Sequence, residues 1–459
     1  MTSQSNDIIG HRLPCETAAE KAADRVIHVL RTSGFSAYRV GGAVRDRLLG
    51  TAPCEVDVAT DARPPQIQGV FPRTSAVGAA FGVVIVHADD GIDVEVATFR
   101  AEADYTDGRR PDTVTFADAE ADAERRDFTV NALFYDPESG AILDFCHGLA
   151  DLRRGVVRAV GDPDERFAED RLRLLRAVRF SAQLGFDLDS ETRRAIQRQS
   201  AGLRSLSAER VFAEIDRMLH GRRPHQALQT MNELGLLQDW LPELTAMPGT
   251  PQHEAFHPEG DVWQHTLLML EALRAPSSPL AWSVLLHDVG KPVTLQWCDG
   301  RPANPGHAAE GESMARHVLQ RLRASRGLTD AVGTIVRRHM TFKDTVNMRE
   351  STLRRFISAA TFHEELELHR LDCISSHRML DNYVFLLDRL REFAAEPVIP
   401  PPLVTGHDVL ALGVRPGPLV GRVLHEAEEL QLDGELRDRE EALEWLQHRL
   451  SGRVDERDD

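Results

Sequence analysis

With 459 residues, 42% hydrophobic and 27% charged, the chain has the balance of a globular protein of several domains, not that of a disordered or fibrous one. It holds no apolar run near the roughly 20 residues that span a bilayer, and its first residues, without a basic stretch followed by an apolar one, are not expected to be a secretory signal. Five scattered cysteines without a CxxC pair argue against a disulfide framework or a cysteine zinc site, so a cytoplasmic protein without a membrane partner is expected. The net charge of −18 speaks against a nucleic-acid binder, but the stretch 151–223 is rich in arginine and can form a local basic stripe.

In chain order, residues 17–31 carry helical apolar spacing. FSAYRVGGAVRDRLLG reads as a strand, a glycine turn and a helix start. EVDVAT, FGVVIVHA, IDVEVATF and GAILDF are candidate strands. An α/β head over 17–150 follows from them. Beyond residue 150 the pattern is helical, with breaks at 221–224, 247–252 and 396–403. These breaks predict an all-α neck at 151–223, a helical body at 224–400 and a helical tail at 401–459.

Four constellations in the first half carry chemistry. Gly41 and Gly42, followed by Arg45, lie where a backbone could approach phosphate closely. Glu55 and Asp57, two apart on a predicted strand, point to one face, where their charges need a cation between them. Magnesium, a hard ion that takes oxygen ligands and substrate phosphates, suits that place. Asp93 and Glu95 repeat the spacing on a later strand, and one of them could complete the site. In RRDFTVNAL, Arg126 suits a triphosphate, while Asp127 and Asn131 can hold a ribose hydroxyl.

The fourth constellation is Glu169-Asp170-Arg171-Leu172-Arg173, continuing through Arg176 and Arg179. Leu172, Leu175 and Val178 form a buried stripe. Asp170 and Arg173, three apart, are expected as neighbours on one helix face, either as a salt bridge or as a base reader. Cytosine and adenine both present an amino donor beside a ring-nitrogen acceptor, whereas guanine and uracil present the reverse. A carboxylate beside a guanidinium therefore matches C and A.

These four motifs, in this order, resemble the class II tRNA nucleotidyltransferases (CCA-adding enzymes) and the related bacterial poly(A) polymerases, whose pattern is GGxVRD, DxD, RRDxxxNA and EDxxRxxR. The resemblance covers about residues 38–219 and returns at TGHDVLALGVRPGP. It implies a polymerase beta-like nucleotidyltransferase head and an RNA-binding neck. It further implies Mg2+ held by Glu55 and Asp57, with Glu95 as a third strand carboxylate. Gly41 and Gly42 would support the triphosphate, Arg126, Asp127 and Asn131 phosphate and ribose, and Arg176 and Arg179 the phosphates. Asp170 and Arg173 would read the base, oriented by Glu169. The partners implied are tRNA, CTP and ATP. Glu55 departs from the family, which has Asp there. The polar segment 100–124 resembles the mobile loop used for switching from C to A, which disfavours a CC-only enzyme. An A-adding enzyme or a poly(A) polymerase remains the alternative, and the segment 77–86 looks more like the tRNA enzymes.

In the predicted body, His265, the adjacent His287 and Asp288, His307, His339 and Asp372 could form a nitrogen and oxygen metal site. Their order resembles the HD phosphohydrolase superfamily over about residues 258–377. That resemblance implies a divalent ion on His265, His287, Asp288 and Asp372, with His307 and His339 as ligands of a second. It also implies phosphatase or 2′,3′-cyclic phosphodiesterase chemistry, which in a reading of another class would be the main activity.

Overall fold

The structure is a computed structural model and describes residues 9–10, 13–76, 82–88, 90–103, 113–393 and 397–451. It divides into two units, Met1–Thr245 with Arg321–Arg323, and Ala246–Gln320 with Ala324–Asp459. Among the described residues no helix is long and apolar enough to cross a membrane.

The first unit opens with β1 (Ile9–Gly10), α1 (Ala18–Thr32), β2 (Ala37–Val40), α2 (Gly42–Leu48), β3 (Asp57–Thr60) and α3 (Pro64–Val70). It continues through β4 (Thr74–Ser75), β5 (Val83–His87), β6 (Asp93–Thr98), β7 (Arg100–Ala103), β8 (Thr113–Phe116) and α4 (Ala119–Glu124) to β9 (Leu133–Tyr135) and β10 (Ala141–Asp144). One eight-stranded sheet runs β1-β10-β9-β2-β3-β6-β5-β4. Its neighbours are antiparallel except β3 and β6, which are parallel.

Helix α1 starts because Thr17 and Glu20 form a capping box: Thr17 Oγ1 accepts the Glu20 N–H, and Glu20 Oε2 accepts the Thr17 N–H. Its stripe of Ala22, Ala23, Val26, Ile27 and Leu30 is buried against Val58, Val84, Val94 and Val96. Burying each large side chain here contributes roughly 1.5–3 kcal/mol. A second core, with Val40, Ala59, Phe99 and Phe134, forms from residues pointing the other way. Strand alternation thus assigns Val58 and Val96 to the helix face and leaves Asp57 and Glu95 to the opposite one.

The neck is helical as expected, with α5 (Gly148–Arg154), α6 (Pro163–Glu169), α7 (Leu172–Leu184), α8 (Ser190–Gln199) and α9 (Ala208–Leu219), and α10 (Pro224–Glu233) follows it. The stripe of Leu172, Leu175 and Val178 on α7 is buried, and α7 packs on α9 and α10.

In the second unit, the helix Ser278–Leu286 is buried nearly all round and packs on the helices Arg326–Arg338, Phe362–Ser375 and Val262–Ala272. Trp282 fills the middle with no exposed surface. Three further helices, Gly406–Ala411, Pro418–Leu432 and Arg439–Ser451, close the chain around Val409, Val423 and Leu446.

One expectation changes here. The segment 100–124 resembles a mobile loop in sequence, yet its described residues pair as the β7–β8 hairpin and then form α4. Residues 104–112, the centre of the expected switching loop, lie outside the described residues, as do 77–81 of the segment 77–86.

Candidate functional site

A cleft of about 450 Å³ in the first unit is lined by Gly41, Gly42, Arg45, Asp57, Glu95, Arg126, Asp127, Asn131, Asp170, Arg173 and Arg176. It therefore gathers most of the residues expected from sequence.

The two carboxylates of its floor follow from sheet register. Val58 pairs with Val96 across the parallel β3–β6 ladder. One step back, Asp57 and Glu95 are side by side on the cleft face, on strands about 4.8 Å apart. Burial raises the pKa of both, and each is raised further by the other carboxylates around it: Glu55 acts on Asp57, and Asp57 and Glu55 act on Glu95. Arg126 opposes this at Asp57. Clustered like charges with too little compensation are what a bound cation relieves. The residues present thus fit the expected metal. Glu55 departs from expectation. The strand begins at Asp57, so Glu55 lies before it and outside the cleft lining, although its charge is felt there.

Above the floor, Gly41 joins β2 to α2 with φ +71°, a conformation that favours glycine. A Cβ there would come within 3.1 Å of the Arg126 guanidinium. The arginines are held by a buried network. Asp122 accepts from Arg125 and Arg126. Asn131 Oδ1 accepts from Arg45 at 2.5 Å, and its Nδ2 donates to Asp127 at 3.1 Å. Asp127 Oδ2 accepts from Arg176 Nε at 2.8 Å. Burial would raise the Asp127 pKa, but Arg176 and Asn131 outweigh it and hold the carboxyl at about 2.

The base-reading pair is not the i, i+3 helix pair expected. Asp170 is extended (φ −145°, ψ 104°) in the break between α6 and α7. It accepts from Arg210 at 2.6 Å and from the Leu172 N–H at 3.0 Å. Arg173 bonds Glu169 and the carbonyls of Arg166 and Arg125. These three contacts leave it two of its five N–H donors. Both side chains face the cleft without pairing with each other. Glu169 is therefore the partner of Arg173, as an orienting residue would be. Arg179 lies elsewhere: it does not line the cleft, and its Nε donates to the buried Glu214 at 2.6 Å. Arg210, on α9, was missed from sequence, since it is one arginine among the many of the stretch 151–223 and only folding brings it to Asp170.

In the second unit the six expected metal residues converge beside a cavity of about 760 Å³. His287 and Asp288 end the helix Ser278–Leu286, and Gly290 follows. A Cβ on Gly290 would fall 2.3 Å from the His307 carbonyl, so glycine lets the helix His307–Arg321 approach. His265 Nε2 is 3.2 Å from Asp372 Oδ1, and His287 Nε2 is 3.1 Å from Asp288 Oδ2. Neither histidine nitrogen makes a hydrogen bond there, although both are buried. Asp288 Oδ1 lies 3.6 Å from His307 Nε2 and 3.9 Å from His339 Nε2. Two overlapping groups result, His265-His287-Asp288 and Asp288-His307-His339, each with donor atoms close enough to hold an ion. Buried imidazole nitrogens without a hydrogen-bond partner, opposite carboxylates, are the donor set of a transition-metal centre.

The electrostatics agree at two of the histidines. Burial lowers the His339 pKa to about 4 despite the attraction of Asp288, and His307 is likewise lowered, first by burial. Both offer neutral lone pairs. His265 is opposite: burial would lower it, but Asp372 and Glu259 raise it to about 9. Lys291, 2.7 Å from Asp288, and Glu259, beside His265, are site residues missed in the sequence reading.

Residues 37–158 match the family model described as "Poly A polymerase head domain". Residues 185–247 match "Probable RNA and SrmB- binding site of polymerase A", and residues 261–367 match "HD domain". A CCA-adding enzyme of Leuconostoc mesenteroides is 32% identical over 424 residues, 92% of this chain and 94% of that one. The chain belongs to the CCA-adding enzyme family. The family's enzyme from Levilactobacillus brevis is also 32% identical, over 91% of this chain and 95% of its own. The crystal structure of the Bacillus stearothermophilus CCA-adding enzyme in complex with CTP matches with a TM-score of 0.72 and 28% identity, covering 96% of this chain and 100% of that one. The Thermotoga maritima CCA-adding enzyme complexed with tRNA shares the fold at a TM-score of 0.61 and 18% identity, over 95% of this chain and 96% of its own. This chain is therefore a tRNA nucleotidyltransferase with a polymerase-type head, helical neck and HD domain.

Proposed function

We propose that this enzyme adds C, C and A to the 3′ end of tRNA from CTP and ATP without a nucleic-acid template, as a cytoplasmic protein. One observation carries the reading: a single cleft holds the Asp57 and Glu95 carboxylates, an arginine network, and Asp170 with Arg173 facing inward but unpaired with each other. Asp57 and Glu95, with Glu55 nearby, would hold Mg2+. Bound there, it would activate the attacking 3′ hydroxyl and stabilise the leaving pyrophosphate. Gly41 and Gly42 give the triphosphate a close backbone approach, and Arg45, Arg126 and Arg176 neutralise its charge. Asp127 and Asn131 position the ribose and hold these arginines. Asp170 accepts the amino group shared by cytosine and adenine, and Arg173 donates to the adjacent ring nitrogen. Arg179 would support the wall through Glu214. The functional boundaries follow the sequence reading: head 17–150, neck 151–223, HD body 224–400, tail 401–459.

The convergent histidine cluster favours a second activity, hydrolysis of a phosphate ester. His265, His287, Asp288 and Asp372 would hold one divalent ion, with Asp288, His307 and His339 placed for a second. Such an ion would supply an activated water for attack on phosphorus.

The decisive experiment is nucleotide addition by the purified protein, resolved by product length. The substrates are tRNA lacking all three terminal residues and tRNA ending in CC, with CTP and ATP separately and together. Three additions to the first substrate are expected. A single ATP-dependent addition, to the second only, would make it an A-adding enzyme, and a long A ladder a poly(A) polymerase. Absence of any product would overturn the assignment of the cleft.

A further inference from the structure

The HD cluster has a feature its metal-binding residues do not account for. Glu259 lies in the loop before the helix Val262–Ala272, and its side chain is only 7% exposed. One oxygen, Oε1, is 2.6 Å from His265 Nδ1 and 2.9 Å from His257 Nδ1. The other, Oε2, is buried without a hydrogen-bond partner. The two imidazoles stand edge to face with centroids 4.9 Å apart. His265 is fully buried, whereas His257 lines the cavity.

An ionised carboxylate can only accept hydrogen bonds. Both imidazoles must therefore carry a proton on Nδ1 and turn Nε2 away from Glu259. For His265 that nitrogen is the one facing Asp372. We propose that Glu259 is a positioning residue that sets the tautomer and ring orientation of His265 and His257 together, so that His265 offers Nε2 to a divalent ion. The inference rests on reading the cluster as a metal centre. Histidine ligands commonly donate their second N–H to a carboxylate, which fixes the ring and strengthens the ligand. The placement of Glu259 is explained by the ring it orients.

The test is Co2+ titration of the full-length protein, followed by calorimetry and by visible absorption, which reports nitrogen coordination. His265→Ala defines which binding component belongs to this cluster. Glu259→Ala is expected to weaken that component by about 10- to 100-fold and to alter its absorption bands. Glu259→Gln keeps an accepting oxygen without the charge and should recover part of the affinity, so a folding defect in the alanine variant does not decide the matter. Binding within twofold of the wild type in both variants, with unchanged bands, would overturn the role of Glu259. Identical titrations of wild type and His265→Ala would instead overturn the metal reading beneath it.

Discussion

The contact between Asp127 and Arg176 joins the head to α7 within the first unit, and its removal has a calculable cost. The Asp127 side chain is only 10% exposed and accepts from Phe128 N–H, Asn131 and Arg176. A carboxyl held at about 2 instead of the ordinary 3.8 gains roughly 2.5 kcal/mol, at about 1.4 kcal/mol per pKa unit. In Arg176→Met this gain falls and a carboxylate is left in a partly desolvated site, a situation that costs roughly 3–5 kcal/mol when the pair is fully buried. Arg176 is 31% exposed, so solvent screening brings the expected loss at pH 7 to about 2–3 kcal/mol. The sign with pH follows. The folded pKa is depressed, so the stabilisation is complete above 3.8 and disappears as pH falls through about 2. Wild type and Arg176→Met should differ fully at pH 6–7 and converge toward pH 2. Hydrogen exchange of the α7 amides is the assay, because two units unfolding together would blur one global midpoint. A loss below about 0.5 kcal/mol, or a gap constant from pH 7 to 2.5, would refute the reasoning, since it would mean the pair contributes little beyond a surface ion pair.

Asp57→Asn should abolish nucleotide addition while leaving the metal-free protein as stable as wild type or more so, because it removes one of several clustered charges; product assays and thermal melts check the two halves. Arg173→Ala should relax base choice, seen as incorporation of GTP or UTP; unchanged rejection of both would remove Arg173 from base reading. Leu175→Ala, at a position with no exposed surface, should cost about 2–5 kcal/mol in urea unfolding. Affinity for tRNA should fall steeply with salt, as phosphate contacts require; a binding constant indifferent to salt would place recognition elsewhere.

Much of this protein was legible in the residues alone. The helix at 18–32 announced itself by its apolar stripe, and β5 and β6 as candidate strands. The metal-type residues of the HD cluster were countable one by one, because histidine alone offers imidazole nitrogen. The helical breaks near 221–224 and 396–403 were readable from glycine and proline.

What the sequence could not decide was which charge meets which. The spacing of Asp170 and Arg173 suggested a helical pair, but α6 ends at Glu169, and the break turns Asp170 toward Arg210. Arg179 looked equivalent to Arg176, yet one meets Glu214 and the other Asp127. Glu55 and Asp57 are two apart, but pairing begins only at Asp57 with β2 and at Val58 with β6, and that register brings Glu95 beside Asp57 to complete the carboxylate floor. Glu259 and His265 meet through a loop that has no period to read. The reason is physical. Periodicity records which face of an element is buried, and burial is averaged over many residues, so the pattern survives in one dimension. An ion pair depends on two atoms within a few ångströms, and only the packing of distant segments supplies that distance.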